Sequence, residues 1–554
     1  MRHGGQILAS ELEAQGVDTI YCVPGESYLS ALDGLHDSNR IRTVVCRQEG
    51  GAAMMADAYG KMTGRPGVCF VTRGPGATNA SIGVHIAQQD STPMVLLVGL
   101  PGSDFVDREA FQEFDLRAVF GSLGKAAWVV SDVARLPEYV GRAFQTALSG
   151  RPGPVVLGLP EDVLSGMSDV RSDDSVRIAA PAPSRADIAA LQGLLDTAER
   201  PLVLVGGPGW SARVKSQLES IATRLDLPVA AAFRYQDYFD NRHAYYVGHV
   251  GIGIDPKLAE AVRSSDLLIV IGPRLGEMTT GGYSLLAAPV PRQRLVHVHP
   301  SADELGSVYR ATLPINSTAA AFVEALAGLQ TAKGAARWAG WRQGLRGGYE
   351  AFLKPVMTPG PLKMEQVILA LDDMLPEDAI LANGAGNYTG WLHRYYRYRT
   401  YRTQLAPTCG AMGYGLPAAL AAKLQHPDRT VVALAGDGCF MMNGQELATA
   451  AQYGANIIVL VVNNGMYGTI RMHQERKFPG RVMGTTLVNP DFAALARSYG
   501  ASGEVVTETD QFRPALSRAL AADRPALIEL RIDQEALTPG QSLSQIRAAA
   551  LRKA

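Results

Sequence analysis

The chain has 554 residues, 47% of them apolar and 19% charged, with a net charge of -1. That is material for about three ordinary globular domains, and Lys and Arg appear without long runs, so no basic stripe argues for nucleic acid. Its longest apolar runs, such as Met94–Leu100 and Ile457–Val462, are far too short to cross a membrane.

The first twenty residues carry Glu11, Glu13 and Asp18 without an apolar core, which predicts no signal peptide. Gly5–Gln15 reads as a helix stopped by Gly16, Asp18–Val23 as a strand, and Pro24-Gly25 as a turn. Ile41–Cys46 is strand-like, Glu49–Met62 helix-like, and Val68–Thr72 and Met94–Val98 are strands again. Alternation of this kind predicts a parallel, doubly wound sheet. The proline-containing stretch Ala179–Ser184 reads as a linker. A second alternating block opens with Leu202–Val205 running into Gly206-Gly207-Pro208-Gly209, and includes Asp266–Ile271 and Arg294–His299. A third begins near Pro361, with strands at Thr430–Ala435, Asn456–Val462 and Ala526–Ile532. From about Gln534 the strand pattern ends, which suggests a tail or lid. The fold class is thus α/β, three doubly wound parallel-sheet domains, with boundaries at 1–172, 185–335 and 360–540. Cys22, Cys46, Cys69, Cys409 and Cys439 have no zinc-like spacing and read as reduced, buried thiols of a cytoplasmic protein.

The third block carries the chemistry. Thr430–Ala435 ends in Gly436-Asp437-Gly438; a helix-like stretch, Asn443–Tyr453, follows, and the next strand ends in Asn463-Asn464. An acid and an amide at consecutive strand ends both reach the C-terminal edge of a parallel sheet, where open α/β folds bind ligands. Mg²⁺ wants oxygen ligands and shares them with phosphates, and Asp437 and Asn464 supply a carboxylate and an amide oxygen. Gly436 and Gly438 let backbone approach a diphosphate. A bare Gly-Asp-Gly also occurs in many surface turns, so the motif needs support from elsewhere in the chain.

Gly436-Asp437-Gly438 with Asn464 resembles the signature of thiamine diphosphate-dependent enzymes. The resemblance implies metal ligation by Asp437, Asn464 and the backbone carbonyl of Met466. An independent match supports it: Glu49, in Gln48-Glu49-Gly50-Gly51 after the strand Ile41–Cys46, stands where the family has its activating glutamate. The task is to protonate the aminopyrimidine ring nitrogen, so that the imino group can remove the acidic thiazolium proton. Read alone, Glu49 is an acid favoured at a helix N-terminus. Thr72–Asn79, Phe111-Gln112-Glu113 and Arg151–Val155 are similar to the acetolactate synthase branch. In the same way Gly410–Pro417 resembles the segment whose methionine, here Met412, bends the cofactor, and Gly386-Asn387-Tyr388 the loop on the far side of the diphosphate. Read alone, Met412 is a core methionine. Gly25, Cys439, Tyr467 and Gly468 complete the cofactor positions that the resemblance implies. Its three domains would be pyrimidine-binding, middle and diphosphate-binding. The active unit would be a homodimer or homotetramer with sites at the subunit interface, acting on a small-molecule carbonyl compound.

The substrate-facing positions depart from the synthase pattern. Glu26 follows Pro24-Gly25 where the synthases have a second glycine, and reads either as a proton carrier or as a cap of the next turn. His473 replaces a tryptophan, and is either a proton shuttle or an exposed loop histidine. Arg73 replaces a small residue, a substrate-binding arginine falls on Met278 with Arg274 nearby, and Gln112 and Lys125 keep their places. The loop Gly206–Gly209 resembles the family's nucleotide loop, which leaves FAD, a CoA nucleotide or a relic open. The function expected is a thiamine diphosphate- and Mg²⁺-dependent lyase or carboligase of a 2-oxo acid or related carbonyl. The alternatives are a simple 2-oxo acid decarboxylase, or a hydrolase or lyase of a cyclic or hydroxylated diketone.

Overall fold

The computed structural model describes residues 1–172, 174–329 and 338–552; the last stretch of the expected middle domain, residues 330–335, lies outside them. Three six-stranded sheets, every pair parallel, form the framework. The first contains β1 (Thr19–Cys22), β2 (Arg42–Val45), β3 (Gly67–Thr72), β4 (Met94–Leu100), β5 (Ala126–Val129) and β6 (Pro154–Pro160), in the order β2-β1-β3-β4-β6-β5. The second contains β7 (Pro201–Val205), β8 (Val229–Ala231), β9 (Tyr246–His249), β10 (Leu267–Ile271), β11 (Arg294–His299) and β12 (Leu313–Asn316), ordered β9-β8-β7-β10-β11-β12. The third contains β13 (Ile380–Asn383), β14 (Gln404–Leu405), β15 (Val431–Gly436), β16 (Ile458–Asn463), β17 (Ser502–Val506) and β18 (Ala526–Arg531), ordered β14-β13-β15-β16-β18-β17.

Central strands are buried on both faces, which is why β4 reads as an unbroken apolar run. In the middle sheet Val203, Ile269 and Val296 pack into one core while their neighbours Leu202, Leu268 and Leu295 pack into the other. That is the two-residue alternation of a strand. The first and third sheets share one strand order. The middle sheet has the order of dinucleotide-binding folds, with its switch point between β7 and β10.

Contacts divide the chain into two compact units. The first comprises Met1–Ala179 with Leu416–Pro427 and Asn443–Ala455. Within it the Glu446 carboxylate accepts from Arg47 N at 3.0 Å, and Val45 N donates to the Tyr453 hydroxyl at 2.7 Å. Two crossover segments of the third sheet therefore pack with the first sheet. The second unit holds Ala180–Gly415, Asp428–Met442 and Asn456–Ala554. In it the turn after β8 docks on β14: Asp237 Oδ2 accepts from Thr403 N at 2.9 Å and Gln404 N at 3.2 Å. Burial pushes the Asp237 carboxyl up to about 6, against those hydrogen bonds. Ser184, at the end of the predicted linker, caps the helix Arg185–Thr197 with Asp187.

The tail from Gln534 forms a helix at Leu543–Leu551, capped by Ser542. Leu543 and Ile546 pack on Leu537 and on Met472 of the helix Gly468–Lys477. The helix expected at Asn443–Tyr453 is shorter, Glu446–Gln452, and is preceded by a turn of helix at Asp437–Phe440. Cys22, Cys46, Cys69 and Cys439 are buried and free; Cys409, expected buried, is exposed. Among the described residues no helix is long and apolar enough to cross a membrane.

Candidate functional site

In the third sheet β13, β15 and β16 are adjacent and parallel, so the segments leaving their C-terminal ends converge. They enclose a cavity of about 210 Å³. Gly386, Asn387 and Tyr388 line it from the segment after β13, and Gly410 and Met412 from the loop after β14. Gly436, Asp437, Gly438 and Cys439 line it at the end of β15, and Asn464, Met466, Tyr467 and Gly468 after β16. The structure thus brings every cofactor position expected in the C-terminal half to one cavity.

Asp437 is 3% exposed. Its Oδ1 accepts from Gly438 N at 2.8 Å; its Oδ2 accepts from Gly465 N at 2.9 Å and Asn489 Nδ2 at 2.8 Å. Burial raises the Asp437 carboxyl while these donors pull it back. The Asn464 Oδ1 accepts from Met466 N at 3.2 Å, which folds the turn carrying both residues. A side chain on Gly438 would force the Tyr467 ring to move, since a Cβ would stand 2.4 Å from it. The Cys439 thiol is engaged rather than free to ligate: the Tyr388 hydroxyl donates to it at 3.3 Å and Gly413 N at 3.2 Å.

This donor set fits a hard cation bridging to a diphosphate, because Asp437, Asn464 and the Met466 carbonyl all offer oxygen. Among the described residues no three His, Cys, Asp or Glu side chains cluster as a metal site. A carboxylate, an amide and a backbone carbonyl make a different set from such a cluster. Asn489 was not readable beforehand, because nothing local links it to Asp437. The same holds for Thr469, whose hydroxyl donates to Asn387 Oδ1 at 3.0 Å, and for Trp391, Ile470, Ile532, Ala536 and Leu537, the apolar wall of the cavity. His473 sits on the helix Gly468–Lys477 rather than a loop, is exposed, and does not line the cavity.

The first sheet gathers the other expected residues at its own C-terminal edge. Glu49 opens the helix Glu49–Thr63; it is half-buried, and its Oε2 accepts from Asn79 Nδ2 at 2.9 Å. Gly25 lies so close to β3 that a Cβ would stand 2.4 Å from the Thr72 Cβ. Arg73 is 7% exposed and gives one guanidinium nitrogen to Glu26 at 2.8 Å and the other to Glu161. Phe111 lies against that guanidinium, 5.7 Å from it to the ring centroid. Gln112 accepts from Gly74 N at 3.0 Å through its backbone carbonyl. Glu161, the second partner of Arg73, carries no motif and was missed.

Lys125 does not join this edge. It precedes β5, at the N-terminal edge, and its ammonium donates to the carbonyls of Thr146 at 2.5 Å and Ser149 at 2.7 Å. Desolvation lowers that ammonium to about 8. In the middle sheet Arg274 is paired with Glu304 at 3.2 Å, and Met278 lies half-buried in the turn after β10. The loop Gly206–Gly209 stands at the switch point, and Trp210 Nε1 donates to the Gly206 carbonyl at 2.8 Å.

Three family models match the chain. The thiamine pyrophosphate enzyme N-terminal TPP binding domain covers residues 2–119, the central domain 188–326, and the C-terminal TPP binding domain 384–530. The chain is 33% identical over 563 residues to the acetolactate synthase large subunit of Parasynechococcus marenigrum, covering 98% of this chain and 90% of that one. It is 32% identical to the acetolactate synthase large subunit of Corynebacterium glutamicum, over 99% of this chain and 90% of the relative. With the acetolactate synthase isozyme 2 large subunit of Escherichia coli it shares 30%, over 98% and 99%.

Proposed function

We propose a function from one premise: the chain belongs to the thiamine pyrophosphate enzyme family. On our reading it is a thiamine diphosphate- and Mg²⁺-dependent carbon–carbon lyase or carboligase of the acetolactate synthase type, acting on a 2-oxo acid or a related carbonyl compound. The observation that carries this is the convergence of Asp437, Asn464 and Met466 on one cavity at the C-terminal edge of the third sheet.

When bound, thiamine diphosphate supplies a thiazolium carbon that stabilises negative charge on an acyl fragment. Asp437, Asn464 and the Met466 carbonyl would hold the metal. Asn489 and the amides of Gly438 and Gly465 fix the Asp437 carboxylate for that task. Glu49, one oxygen of which accepts from Asn79, would be the group that gives and takes a proton at the ring nitrogen of a bound aminopyrimidine. Met412 would lie against the bound cofactor, and the buried Trp391 and Leu537 give the cavity an apolar lining. The assembly is part of the proposal: a homodimer or homotetramer in which Glu49 of one copy serves the Asp437 cavity of another. The Gly206–Gly209 loop is tied back by Trp210, and no step is assigned to FAD.

One observation favours a second reading, a decarboxylase or a cleaver of a neutral cyclic or hydroxylated diketone. Both terminal nitrogens of Arg73 are already bonded, to Glu26 and Glu161, which leaves its buried Nε without a partner; two carboxylates thus already offset the charge that a substrate carboxylate would use. A substrate screen separates the readings. The protein with thiamine diphosphate and Mg²⁺ is given pyruvate, 2-oxobutyrate, glyoxylate, benzoylformate and 1,2-cyclohexanedione, and products are read by mass spectrometry. An acyloin or acetohydroxy acid supports the carboligase. A free aldehyde or a ring-opened acid supports the second reading. No cofactor-dependent product from any of them contradicts both.

A further inference from the structure

Between the middle and third sheets one buried cation has a place that the cofactor motifs do not account for. Arg234 lies in the turn after β8, is 6% exposed, and holds a left-handed backbone at φ 65°. That conformation is uncommon for any residue with a Cβ. Among its partners are two backbone carbonyls of the third domain: one terminal nitrogen donates to the Gly384 carbonyl at 3.0 Å, the other to the Pro407 carbonyl. Gly384 begins the segment that brings Gly386, Asn387 and Tyr388 to the cavity, and Pro407 the loop that brings Gly410 and Met412. These two segments follow different strands, β13 and β14. The planar fork of a guanidinium suits two acceptors at a fixed separation, where the single ammonium of lysine does not.

We propose that Arg234 is a positioning residue for the cofactor cavity. From the middle domain it sets the spacing of the diphosphate-side segment and the methionine segment, and so pre-organises the pocket before the cofactor arrives. Its left-handed backbone is what turns the side chain of a middle-sheet residue onto third-domain loops. The inference rests on the reading of this cavity as the thiamine diphosphate site. Apart from the Arg234 pair, the same turn is anchored through Asn241, whose Oδ1 accepts from Tyr398 N at 3.0 Å. That contact serves the docking of the turn and bonds to neither cavity segment, so it supplies the control.

The experiment compares wild type, Arg234→Met, Arg234→Lys and Asn241→Ala by calorimetric titration of thiamine diphosphate with Mg²⁺, alongside the melting temperature of each apoprotein. Losing charge-assisted hydrogen bonds that hold two walls of a site should weaken cofactor binding by on the order of tenfold in Arg234→Met. Arg234→Lys should fall between, and it carries the comparison if the methionine variant does not fold. Asn241→Ala should lower the melting temperature while binding the cofactor as wild type does. Wild-type affinity in folded Arg234→Met, or equal losses of affinity in Asn241→Ala and the Arg234 variants, would overturn the inference. A wild-type protein that binds no thiamine diphosphate removes the cavity reading itself, and the inference with it.

Discussion

The first and third sheets have the same strand order, yet their C-terminal edges carry different chemistry. The third edge holds one buried acid, Asp437, fixed by two amide N–H groups and Asn489, among glycines and apolar walls. The first edge holds Glu49 beside Asn79 and a buried Arg73 between two carboxylates. On the proposed reading, one scaffold would be used once to hold an ion and a diphosphate, and once to handle protons and face the substrate. What differs is not the fold but the residue that each strand end delivers. A parallel sheet supplies the place, and the loops supply the function.

The sharpest way to test that division is to remove the proton handler alone. Glu49→Gln should lower turnover about 10²- to 10⁴-fold and leave thiamine diphosphate affinity near that of wild type, read by steady-state kinetics and calorimetry. Asp437→Ala should show the opposite pattern, with metal-dependent cofactor affinity falling about 10- to 100-fold; a chelator should mimic it in wild type. If both variants lost affinity alike, the two edges would not be distinct in task.

Next comes the helix that supports the third edge. Glu475 is buried beneath Arg547 and Arg471, and the hydrogen bonds from Arg547 hold its carboxyl down at about 2. The folded value lies below the ordinary carboxylate value of about 4.3. Its stabilisation is therefore present above pH about 4.3 and is lost as pH falls towards 2. Glu475→Gln should cost about 2 kcal/mol at pH 7 by urea unfolding, and the gap to wild type should close in acid. A gap that persists at low pH would mean that packing, not charge, holds this helix. The smallest effect belongs to the first edge. Glu26→Gln leaves Arg73 with one carboxylate, and should lower KM for an anionic 2-oxo acid by about two- to fivefold with no such change for a neutral ketone.

The contrast between the edges also explains what was legible in the sequence. The third edge was legible once Gly436-Asp437-Gly438 and Asn464, each at the end of an apolar run, were taken together with Glu49 in the first block. The family likeness carried the remaining expected cavity residues of this half, Gly386 to Gly468. The apolar wall from Trp391, Ile532 and Leu537 was not legible, since its members come from separate elements and share no local pattern. Glu161, Asn489 and Arg234 act through contacts far apart in sequence, and no spacing rule reaches them. His473 and Lys125 show how little motif position fixes where a side chain ends up. For His473 the exposed alternative holds for the single chain, whereas Lys125, expected to keep a pocket position, stands at the N-terminal end of its strand. In the third sheet, Ile380–Asn383, Gln404–Leu405 and Ser502–Val506 were missed because they are short or, as with β17, partly exposed.

On the proposed reading, the two edges meet across copies of the chain to make one site. Glu49→Gln and Asp437→Ala chains, each with its own tag, can be co-expressed and the mixed assembly purified through both tags. Each variant alone should be nearly inactive. If Glu49 of one copy serves the Asp437 cavity of another, the mixed assembly contains some sites with both residues intact, and a substantial fraction of wild-type turnover returns. A mixed assembly as inactive as its parents would contradict the account, because every site would then draw both residues from a single chain.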